Sequence, residues 1–140
     1  MEQVTTWLRP DEDWVRAWLV VSGLCGAYLT GLGLLIFLKP GMAKAFLGGF
    51  AGGLLANSFE ALVRAIAGVA LMGVSPDTRF PAIFFVFGAF LLVSAIPMAL
   101  LPRTHRRFAS WAVPFALRIM PLFGALSIIF GALLLWAVFA

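Results

Sequence analysis

Four apolar runs of roughly helix-spanning length occupy residues 17–38, 58–74, 81–101 and 121–140, and they set the solvent in which this chain can fold. An α-helix rises about 1.5 Å per residue, so about 20 apolar residues cross the ~30 Å hydrocarbon core of a bilayer. The first, third and fourth runs carry no charge. The second is the weakest, with Glu60 and Arg64 in its first two turns. Of the 140 residues, 63% are hydrophobic and 11% charged, against roughly 25% charged in an ordinary soluble domain. Too few charges remain to cover a water-facing surface. The expected fold is therefore an all-α membrane protein: four transmembrane helices as two helical hairpins, with interfacial segments in the long connections, in a single domain over 1–140. Asp11, Glu12 and Asp13 precede the first run, whereas an export signal has a basic leader. The run is read as a retained span.

The connections differ in kind. Ser75-Pro76-Asp77 between the second and third runs reads as a tight turn, with the aspartate bonding its own backbone. Residues 41–57 are apolar and hold Gly48, Gly49, Gly52 and Gly53, which suit either close helix packing or a re-entrant turn. Residues 103–120 are basic and aromatic. Phe108, Trp111, Ala112, Phe115 and Ile119 share one helical face, and Arg107, Ser110, Pro114 and Arg118 the opposite one. That division describes a helix lying in the membrane interface, although Pro114 is expected to break or kink it. Pro97 is an expected kink in the third run.

The formal net charge of +4 is distributed unevenly. Lys39, Lys44, Arg103, Arg106 and Arg107 lie in the first and third connections, with Arg64 and Arg118 near the same side. Arg9, Arg16 and Arg79 lie on the other. The positive-inside rule puts the long connections in the cytoplasm and both termini outside. Trp7, Trp14, Trp18 and Trp136 then fall at the outer interface, where indole rings concentrate.

Lys39-Pro40-Gly41-Met42-Ala43-Lys44-Ala45-Phe46 and Leu101-Pro102-Arg103-Thr104-His105-Arg106-Arg107-Phe108 share a proline, a basic residue four positions on and an aromatic six positions on. Each is followed by a lateral stretch, then Leu62-Val63-Arg64 or Leu117-Arg118, then a glycine (Gly68 or Gly124). The pattern fits a parallel tandem repeat over 14–74 and 81–140, and it also fits chance recurrence of short apolar motifs. A helix, Pro-x3-basic, a lateral stretch, Leu-Arg, glycine and a last helix containing Leu-Leu-Trp resembles the YjeT-like group of small bacterial inner-membrane hairpin proteins. The resemblance is closest over 91–138 and looser over 31–74. That group has no established chemistry, so the resemblance implies a class of protein and no reaction.

The candidate polar membrane site is Glu60, Arg64, Asn57 and Arg118. Glu60 is the one acid within a span, and ionisable residues in membrane helices are functional candidates. Arg64 stands one turn later in the favourable order for an ion pair, which gives a purely structural account of both. Arg118 fits an anionic ligand beside Arg64 or a topology anchor. Lys44, Arg103, Arg106 and Arg107 are candidate contacts for anionic lipid headgroups. Lone His105 and lone Cys25 supply no metal-ligand cluster, and no nucleotide loop, hydrolase elbow or carboxylate pair is present. No cofactor is expected, nucleic acid is an unsuitable partner, and the implied partners are the bilayer and a homo-oligomer or other membrane protein. The expected function is that of a small accessory or structural membrane protein rather than an enzyme. A small oligomeric transporter or channel, with Glu60 and Arg64 on a polar path, is the alternative.

Overall fold

The computed structural model describes residues 2–48 and 54–139, and the described chain is almost wholly helical. Seven α-helices follow in order: α1 (Glu2–Leu8), α2 (Glu12–Leu38), α3 (Pro40–Gly48), α4 (Leu54–Val74), α5 (Pro81–Leu100), α6 (Pro102–Arg118) and α7 (Met120–Phe139). α2, α4, α5 and α7 are each long and apolar enough to cross a membrane. Gly49, Gly52 and Gly53, and with them the re-entrant reading of their connection, lie outside the described residues.

α2 begins five residues before its apolar run because Asp11 caps it. The carboxylate accepts from the backbone N–H groups of Asp13 and Trp14 at 3.0 and 3.1 Å, and Glu12 and Asp13 complement the helix dipole. The sequence Ser75-Pro76-Asp77 forms a short 3-10 turn closed by Thr78 N–H to the Ser75 carbonyl. Asp77 does not fold back on its own backbone there. Its carboxylate accepts from Arg9 at 2.8 Å, tying α1 to the turn. Helix α6 runs on through Pro114 and α5 through Pro97.

The most extensive interfaces are α2 with α7 and α4 with α5, and α2 also meets α4. Phe80, at the entry to α5, reaches Trp136 of α7 at a centroid distance of 6.3 Å. Each major pair closes on glycine. A methyl group on Gly68 of α4 would stand 2.6 Å from the Gly88 carbonyl oxygen and 2.7 Å from Leu92 N in α5. A methyl group on Gly131 of α7 would meet the Gly26 carbonyl oxygen at 2.8 Å and Thr30 N at 2.7 Å in α2. The backbones approach as closely as small residues permit, which is what holds helices together where lipid supplies no hydrophobic drive.

The two contacts are the same contact. Gly26 and Thr30 stand 62 positions before Gly88 and Leu92, and Gly68 stands 63 before Gly131. The correspondence extends along the interfaces: buried Ile36 matches buried Met98, Ala61 matches Gly124, and Val74 matches Ala137. The geometric counterpart of Gly68 is thus Gly131, not the Gly124 that the sequence motif pairs with it. By the same register Arg64 matches Ser127 and not Arg118.

Bulky apolar side chains cover the outside. Phe90 and Ile83 are each 65% exposed, and only 17% of the apolar window of α5 is buried within the protein. The small interior includes a cluster of Leu32, Ile36, Ala43 and Met120, through which α3 is fastened under α2 and α7.

Candidate functional site: a polar cluster between α4 and α5

Asn57, Glu60 and Arg64 are spaced three and four residues apart, so one side of α4 presents all three. Because α4 starts at Leu54, Glu60 and Arg64 lie roughly 9 and 15 Å along it. Arg64 is therefore halfway down the helix, deeper than the sequence run suggests. Its side chain turns back toward the helix start, as helical side chains do, and Nη2 donates to Glu60 Oε1 at 2.9 Å. Nη1 makes a longer contact, 3.5 Å, to Ser94 Oγ on α5. Ser94 in turn donates to the Leu91 carbonyl. Both charged side chains are part-buried, 32% and 21% exposed for Arg64 and Glu60.

Asn57 is fully buried. Its Nδ2 donates to the Met98 carbonyl oxygen at 2.7 Å, near the end of α5, while Oδ1 has no partner. Arg64 and Asn57 thus each reach across to α5, joining the two helices over the first half of α4 and the second half of α5. Ser94 escaped the sequence reading, although it is the only hydroxyl in the third apolar run and so carried a signal. The Met98 carbonyl carried none.

Arg118 does not join this group. It is exposed in the last turn of α6, and none of the hydrogen bonds or ion pairs of the cluster includes it. Lys44, Arg103, Arg106 and Arg107 are all exposed, and α3 and α6 pack against each other. These residues make a basic end to the bundle. On α6 the rings of Phe108, Trp111 and Phe115 form an exposed ladder, 6.1 and 6.4 Å between successive centroids. A third face of α6, which the two-sided sequence pattern omitted, buries Ala109 against the bundle.

The opposite end is aromatic. Trp18 donates to the Leu8 carbonyl at 2.7 Å, stacks obliquely on Trp14, and closes over Gly73 of α4. Arg79 lies over the Trp136 ring at 4.6 Å. An open cleft of about 720 Å³ at this end is lined by Glu2, Arg9, Asp11 and Glu12 among others. A second, apolar groove of about 380 Å³ runs between α4 and α5 and is lined by Ser58, Ala61, Leu62, Ala65, Leu92, Ala95, Ile96 and Ala99. Neither is lined by Glu60 or Arg64. Among the described residues no three His, Cys, Asp or Glu side chains are grouped as metal ligands.

Compared with known proteins, the chain matches no family model, no curated relative and no solved structure.

Proposed function

We propose that this chain is a small accessory protein of a bacterial inner membrane, acting through helix–helix and lipid contacts rather than by catalysis or transport. The observation that carries this reading is the pairing of Glu60. Its charge is neutralised one turn away by Arg64 at 2.9 Å, and neither cleft reaches the pair. A carboxylate that carries a proton or cation needs a water path, and here the acid is engaged in holding α4. The basic end, with Lys44, Arg103, Arg106 and Arg107, faces the cytoplasm in this reading. The acidic and tryptophan-rich end, with both termini, faces outward. Helix α6 lies in the interface, its aromatic ladder toward the acyl chains and its arginines toward the headgroups. The two helix–lateral-helix units derive from one duplicated hairpin, a history supported by the shared glycine contacts at offsets of 62 and 63.

A second reading rests on one observation. Where α4 carries Asn57, Glu60 and Arg64, the matching positions of α7 are Met120, Phe123 and Ser127, so the packing itself does not require the polar set. That set, with the unpartnered Asn57 Oδ1, would line a polar path in an oligomeric transporter. Reconstitution into liposomes separates the two. The accessory reading expects no proton or cation flux above empty liposomes, from the wild type or from Glu60→Gln. Flux that the wild type supports and Glu60→Gln abolishes would replace it with the transporter reading.

A further inference from the structure

The register that relates the two helix pairs also shows where they stop matching. In the α2–α7 pair, large residues fill spaces over small ones. Ile128 packs onto Gly33, whose absent methyl would collide with the isoleucine side chain, and Phe37 lies 3.2 Å from where a methyl on Gly124 would stand. The matching couples in the α4–α5 pair are Ala65 with Ala95 and Ala99 with Ala61. Alanine stands where the other pair has isoleucine and phenylalanine, and the two matching glycines are replaced by nothing larger than alanine. All four alanines line the 380 Å³ groove. The furrow between α4 and α5 thus opens at positions where the α2–α7 pair carries an isoleucine and a phenylalanine.

The groove's lining runs from Ser58 to Ala65 on α4 and from Leu92 to Ala99 on α5, the halves of both helices nearest the basic end. Four residues beyond Ala99, Arg103 stands in the first turn of α6, which packs against both α4 and α5. Arg103, Arg106 and Arg107 are exposed there, and the one acid in this half, Glu60, is already paired. An apolar furrow and a cluster of arginines without acidic partners thus share one end of the bundle.

We propose that the α4–α5 groove seats an acyl chain of an anionic phospholipid whose phosphate is held by the arginines at the start of α6. A shallow apolar furrow matches a hydrocarbon chain, and the arginines supply the charge complementarity for the headgroup. A second copy of the chain is a poorer occupant. In the same orientation it would bring its own Lys39, Lys44, Arg103, Arg106 and Arg107 beside these, and like charges repel. The inference deepens the reading of a protein that works through lipid contacts, and its test is independent of the flux assay.

The test uses the intact protein in nanodiscs of phosphatidylcholine with one part in ten phosphatidylglycerol carrying a photoactivatable acyl chain. Crosslinks mapped by peptide mass spectrometry are expected to concentrate in 58–65 and 92–99 by at least threefold over the stretch 20–34 of α2, after normalising each to its exposed residues. Even labelling of the two regions would overturn the proposal. Native mass spectrometry of detergent-released protein gives the second readout. The wild type is expected to retain one phosphatidylglycerol about tenfold more often than phosphatidylcholine. Arg103→Gln should erase that preference, and the double change Ala65→Ile with Ala99→Phe, which copies the filled half, should reduce retention of both lipids. Retention untouched by the filling change, or a dimer in the wild type that the filling change dissociates, would overturn it, the latter in favour of a second copy.

Discussion

Gly68 and Gly88 face each other across α4 and α5 so closely that a methyl group on either would stand 2.6 Å from the other's carbonyl oxygen. The obstacle is backbone, which cannot rotate away as a flexible side chain can. Gly68→Val should therefore force the helices apart and cost about 1–3 kcal/mol or more, as overpacking does elsewhere. Gly131→Val should do the same to the α2–α7 pair, where Gly26 and Thr30 supply the matching backbone atoms. Gly31, with open space around it, is the control, and Gly31→Ala should leave thermal unfolding in detergent unchanged. Equal tolerance at Gly68 and Gly31 would refute the account of the interface.

The pairing of Glu60 with Arg64 makes unequal predictions for its two members. Losing the arginine leaves a short, part-buried carboxylate in the membrane, and even insertion-based scales charge ~2.5–3.5 kcal/mol for an unpaired ion at a helix centre. Losing the glutamate leaves a long guanidinium that still reaches Ser94 and whose length lets it find the interface. Arg64→Leu should therefore destabilise well beyond Glu60→Gln, and Glu60→Gln in the Arg64→Leu background should restore much of the loss. A double-mutant cycle on unfolding midpoints reads this directly.

Two buried hydroxyls of similar burial should behave in opposite ways. Ser127 Oγ donates across the helix pair to the Leu29 carbonyl at 2.6 Å, whereas Ser22 Oγ is buried with no partner. Interhelical hydrogen bonds in membranes average about 0.6 kcal/mol, so Ser127→Ala should lower stability by roughly that amount. Ser22→Ala removes an unsatisfied polar atom and should be neutral or stabilising. The comparison needs only relative unfolding midpoints of two otherwise conservative variants.

The spans were legible because twenty uncharged residues leave a chain no aqueous alternative, and their ends fell within a few residues of the helix ends. The N-terminal ends are the least legible: α2 begins five residues and α4 four residues before its apolar run, so Arg64, in the second turn of the run, stands at the middle of the helix. Which helices pair was less accessible. Glycine marks a close approach without naming the partner, and the motif-based match of Gly68 to Gly124 falls about two helical turns short of its geometric counterpart, Gly131. Ion pairs one helical turn apart, such as Glu60 with Arg64, were readable, since helix geometry alone brings them together. Contacts across the chain, such as Asn57 with the Met98 carbonyl or Arg9 with Asp77, were not, because nothing local encodes their partner.

Asn57 is the residue at which packing and chemistry give separable answers. One half of its amide is satisfied by the Met98 carbonyl at 2.7 Å, and Oδ1 is buried without a donor. A half-satisfied buried amide costs about as much as its bond returns. At the matching place in α7 stands Met120, buried against Ile36, which in turn matches Met98. Asn57→Met therefore copies a packing that the same fold already accommodates, and it should leave the unfolding midpoint unchanged or raise it. Asn57→Asp places a second carboxylate one turn from Glu60, without a second cation, and should lower the midpoint sharply. If Asn57→Met is stable but abolishes a liposome flux that the wild type supports, the amide serves a transported solute. If it is stable and no flux exists to lose, the amide serves the α4–α5 joint alone.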